Sequence, residues 1–74
     1  MTRGQVKEWS DEEGWGAITS PDVSGEVWAH FVHLTDQEGF RTLTPGEAVE
    51  FDYIDMWPGS QDGYRYRAKW VRQV

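Results

Sequence analysis

Turn-forming clusters cut this chain at short intervals, among them SDEEG at residues 10–14 and SPDVSG at residues 20–25. The runs between them are rich in valine, threonine and aromatic residues, and nowhere do apolar residues recur at helical spacing. Such a pattern dictates short strands. The reading gives strands over residues 5–9, 14–20, 26–31, 47–54 and 64–71, a long connection over 32–45 and a loop over 56–63. In the fourth strand, Val49 and Phe51 alternate with Glu50 and Asp52, the period expected of a ribbon with one buried face.

One local signal argues the other way. Ser10-Asp11-Glu12-Glu13 has the spacing of a helix capping box. Gly14 and Gly16 follow at once, however, each costing about 0.8–1.0 kcal/mol against alanine inside a helix, and no amphipathic run comes after them. A turn is expected there. Five short strands leave two open edges unless the sheet curls shut, so the expected fold is an all-β, five-stranded antiparallel barrel, with glycines supplying the bends.

The chain of 74 residues holds one such domain, residues 1–74, and a domain of that size buries only about 60% of its unfolded surface. With no cysteine there is no disulfide or thiolate metal site, so aromatic packing must supply much of the stability. No apolar run reaches the roughly 20 residues that span a bilayer, and MTRGQVKEW lacks the apolar segment of a signal peptide. A soluble, cytoplasmic monomer is expected, with no membrane partner. Thirteen acidic against seven basic side chains give a formal charge of -6, which opposes non-specific attraction to a polyanion.

The segments GQVKEW, GWGAI, EVWAHF and GFRTLTPGEAVEF stand in the order and spacing of cold-shock domains, and the chain resembles a bacterial cold-shock protein from Gly4 to Phe51 and again from Ala68 to Val71. That resemblance implies an oligonucleotide-binding (OB) fold, a five-stranded antiparallel barrel. Its second and third strands carry ribonucleoprotein-like motifs, here residues 13–18 and 27–31. It further implies that Trp15, Trp28, His30 and Phe31 stack on bases of single-stranded RNA or DNA, with Trp9 at the rim, Phe40 from the long connection, and Lys7 and Arg41 supplying charge. The activity implied is that of an RNA chaperone or regulator of gene expression.

Strand phase supports the assignment independently. Val27 and Ala29 share one face and Trp28 and His30 the other; Trp15 shares a phase with Ala17, opposite Ile18. Large rings outside a core of small aliphatics forfeit about 1.5–3 kcal/mol each, which calls for a ligand that repays it. Base stacking does so, at about 1–3 kcal/mol per base. Glu8 stands where the family has tryptophan, Glu13 where it has the motif lysine, and Ala17 where it has phenylalanine, while Trp15 and Trp28 replace phenylalanines.

No catalytic triad, phosphate loop or cofactor motif is present, so an enzyme with a small-molecule substrate is not expected. His30 and His33, three apart on a strand, should point oppositely and make no metal pair. In YRYRAKWVR, Arg65, Arg67, Lys69 and Arg72 are expected to neutralise the acidic fourth strand, in preference to forming a phosphate stripe. Trp57 is expected to cover a barrel opening. The alternative function is a protein-interaction module, whose Glu8, Glu13, Trp15 and Trp28 would receive a peptide or other cation.

Overall fold

The computed structural model describes residues 2–34 and 42–74. Five strands form: β1 (Thr2–Ser10), β2 (Trp15–Thr19), β3 (Val27–His30), β4 (Ala48–Asp55) and β5 (Tyr66–Gln73). A single 3-10 turn, Phe31–His33, follows β3, so Phe31 lies just beyond the strand that was expected to contain it. The strands close into a barrel in the order β1-β2-β3-β5-β4, with β4 returning to β1. The expected five-stranded barrel is thus the observed one, with a refinement: β3 and β5 run parallel. A closed ring of alternating strand directions needs an even number of strands. Five strands force one parallel pair, and it falls where the chain crosses from β3 to the β4–β5 hairpin.

The barrel is filled from the inward face of every strand. Val6, Ile18, Val27, Ala29, Val49, Phe51, Ala68 and Val71 are buried together, with Leu34 and Leu43 from the connecting segment. Ser10 and Gly14 make the β1–β2 turn without a helix: the Gly14 N–H donates to the Ser10 carbonyl at 2.7 Å and the Glu13 N–H to Ser10 Oγ at 3.1 Å. Gly14 is needed here, with φ at 78°. A Cβ on it would also come within 2.8 Å of the Phe31 ring.

Two of the basic side chains near the C-terminus do neutralise β4. Arg72, the register partner of Glu50, pairs with its carboxylate, and Arg3 joins from the other side at 3.2 Å. Arg65 holds Asp55 at 2.5 Å. Trp57 departs from expectation: it is 70% exposed, and instead of covering a barrel opening it lies under the Arg65 guanidinium, 5.4 Å from the ring centroid. No helix among the described residues is long and apolar enough to cross a membrane.

Candidate functional site

Register brings the rings together. Trp15 of β2 is the Cα partner of His30, and Ala17 that of Trp28, while Ile18 and Val27 face each other in the core. The outer face of β2 and β3 therefore carries a connected series of rings. Trp15 lies 6.1 Å from Trp28 between centroids, Trp28 stacks on His30 at 5.7 Å, and His30 meets Phe31 at 4.4 Å. Phe31 is held at the end of the series because its N–H donates to the Gly14 carbonyl at 2.8 Å.

The rings are not equally open. Phe31 is 42% exposed and Trp15 and His30 are half-buried, but Trp28 retains only 8% of its surface. The expectation of two exposed indoles is corrected at Trp28. It sits mid-series, flanked by Trp15, by His30 and by the edge-on ring of His33 at 5.8 Å. Its register partner Ala17 is fully covered as well. Burial of this ring on the outer side of the sheet comes from its neighbours and not from the core.

Trp9 is also placed differently. A bulge between Val6 and Glu8 puts one extra residue, Lys7, into β1, so Val6 and Trp9 both fall on the inward phase. The Trp9 ring packs half-buried against the core cluster, over Gly16, and its Nε1–H donates to Asp11 at 3.0 Å. Lys7 is exposed at the bulge, its Nζ 2.8 Å from Glu26, a hydrogen bond that raises its pKa above the ordinary lysine value. Phe40 and Arg41 lie outside the described residues.

The two histidines depart from the phase expected of them, because the 3-10 turn brings His33 round to the same side. Their rings lie 6.3 Å apart, edge to face. Each serves the turn as an acceptor: His30 N–H donates to His33 Nδ1 at 3.1 Å and Val32 N–H to His30 Nδ1 at 3.3 Å. Burial, then the Arg67 charge and His30, lower the pKa of His33 below its ordinary value.

The alternation in YRYR places Tyr64 in the last strand and outside the expected site. The strand begins later, at Tyr66, after a turn in which Asp62 and Gly63 take φ of 50° and 85°. That turn throws Tyr64 edge-on against Trp15 at 5.9 Å, with its hydroxyl donating to Glu8 at 3.4 Å. Burial and the carboxylates of Glu26 and Glu8 raise its pKa. The only signal in the sequence was the DG pair just before it. Glu8, Glu13, Trp9 and Trp15 line a cleft of about 210 Å³ beside the ring series.

Residues 2–64 match the family described as the 'Cold-shock' DNA-binding domain. The chain is 41% identical over 70 residues to a cold shock-like protein of Aquifex aeolicus, covering 95% of this chain and 90% of that one. It is 43% identical over 57 residues to cold shock-like protein CspC of Buchnera aphidicola, covering 77% of this chain and 81% of the relative. It is 39% identical over 59 residues to a cold shock-like protein of Thermotoga maritima, covering 80% and 86%.

Proposed function

The chain belongs to the cold-shock domain family, and on that footing we propose that it binds single-stranded RNA or DNA by stacking unpaired bases along the outer face of β2 and β3. The observation that supports this most is the unbroken ring series from Tyr64 through Trp15, Trp28 and His30 to Phe31. Trp15, His30 and Phe31 offer open ring surface, and Trp28 is the packed base that holds them in line. Three stacked bases at about 1–3 kcal/mol each give useful affinity without a basic surface. That is how the site works on an acidic chain: its neighbouring carboxylates weaken contact with phosphates and leave stacking largely untouched.

Because only unpaired bases reach the rings, binding draws paired RNA toward the open strand by mass action, the basis of chaperone or regulatory activity. Tryptophan fluorescence during titration with heptathymidine and heptauridine at low and moderate salt tests the reading. Saturable quenching is expected, and Trp15→Ala should weaken it by at least about 1 kcal/mol. A second reading is favoured by the cleft between Glu8, Glu13 and two indoles, a setting for a cationic peptide. Absence of oligonucleotide binding, with peptide binding abolished by Glu8→Gln and Glu13→Gln, would put that reading first.

A further inference from the structure

Among the described residues, two buried donors on the outer face have no hydrogen-bond partner: the indole Nε1–H of Trp28 and the Nε–H of Arg67. They are not scattered. Trp28 and Arg67 are register partners across the parallel β3–β5 pair, and because the preceding pair, Val27 and Tyr66, faces the core, both project outward together. His33 completes the group, with its ring edge-on to Trp28 and its pKa lowered in part by the Arg67 charge. Arg3, Lys7, Arg65 and Arg72 each face a carboxylate, whereas Arg67 has none among the described residues.

Leaving one buried donor unpaired costs about 1–3 kcal/mol, so two on register-paired residues of one face single out a place where an acceptor belongs. We propose that Trp28 and Arg67 form a phosphate contact, their N–H groups donating to a phosphodiester oxygen of a strand whose bases stack on the adjoining rings. This rests on the proposed function. The guanidinium charge, unmatched by any carboxylate among the described residues, selects an anionic oxygen over a base carbonyl. Both nitrogens are covered in the free protein, so the side chains over them must part when the strand seats. The unsatisfied donors make the closed arrangement costly and lower the cost of that opening. Arg67 thus supplies a cationic contact on a face where the motif position holds Glu13.

The test combines salt dependence with a backbone probe. Heptathymidine binding is measured across a salt series for the wild type, Arg67→Gln and Arg67→Lys, and repeated with an uncharged methylphosphonate heptamer. Removal of one single-strand phosphate contact should reduce the slope of log K against log salt by about 0.7. Affinity for the natural strand should fall roughly tenfold in Arg67→Gln, with the slope kept in Arg67→Lys and the methylphosphonate strand insensitive to either change. In the wild type, the Trp28 indole and Arg67 Nε–H resonances should shift on adding heptathymidine. The assignment is overturned if heptathymidine binds with the same slope in Arg67→Gln, or if the uncharged strand is weakened equally, which would indicate a base carbonyl. Failure of the wild type to bind either strand is a different result and removes the stacking reading along with it.

Discussion

Replacing Phe31 by leucine separates recognition from folding. Phe31 stands at the open end of the ring series, 42% exposed, touching His30 at 4.4 Å and lying over Gly14. Leucine keeps apolar bulk there and removes the flat π face. A hydrophobic exchange of this kind costs less than about 1.5 kcal/mol even in a core, and at a half-open position about 0.5–1 kcal/mol is expected, chiefly the lost contact with His30. For a domain of this size that is a fall in Tm of roughly 2–8 °C. The loss in binding is larger in proportion: one stacked base, about 1–3 kcal/mol, or roughly 5- to 150-fold in Kd for heptathymidine. Fluorescence titration at fixed salt and thermal unfolding by circular dichroism, on the same preparations, read the two quantities. A Phe31→Leu protein that binds as tightly as the wild type refutes the reasoning, and so does one whose binding falls only because it is unfolded.

Phe51→Ala empties a fully buried position and should destabilise by about 3–5 kcal/mol, enough to unfold much of the population at 37 °C in a thermal melt. Glu13→Lys reverses an exposed charge beside Trp15 and should tighten heptathymidine binding severalfold at low salt and steepen its salt dependence, with the gain fading as salt rises. Stability should also depend on pH through His33. Its folded pKa lies below the ordinary 6.5, so its contribution is intact above that value and is lost as pH falls through the folded pKa, where the ring must finally take a proton. Denaturant midpoints measured between pH 8 and pH 5 should drop over that range, and His33→Asn should flatten the drop.

Much of this was legible in the residues. Alternation in residues 47–54 and the turn clusters gave the strands, and the segments around Trp15 and Trp28 gave the ring-bearing face. The departures each come from geometry that a linear reading does not carry. The bulge at Lys7 reverses the phase of β1 and carries Trp9 inward. Burial of Trp28 depends on side chains that meet only once β2, β3 and the 3-10 turn are assembled. Tyr64 reaches Trp15 because the turn at Asp62 and Gly63, both with positive φ, pairs Tyr64 back with Gln61 and the strand proper begins only at Tyr66. The parallel β3–β5 pair, by contrast, follows from closing an odd number of strands.

Stacking on the outer face is tested most directly by nuclear Overhauser contacts between heptathymidine and the protein. The account predicts contacts from thymine methyl and ring protons to the side chains of Trp15, His30 and Phe31. Contacts confined to other surfaces, or a complex in which those three rings stay as far from the bases as they are from bulk solvent, would contradict it.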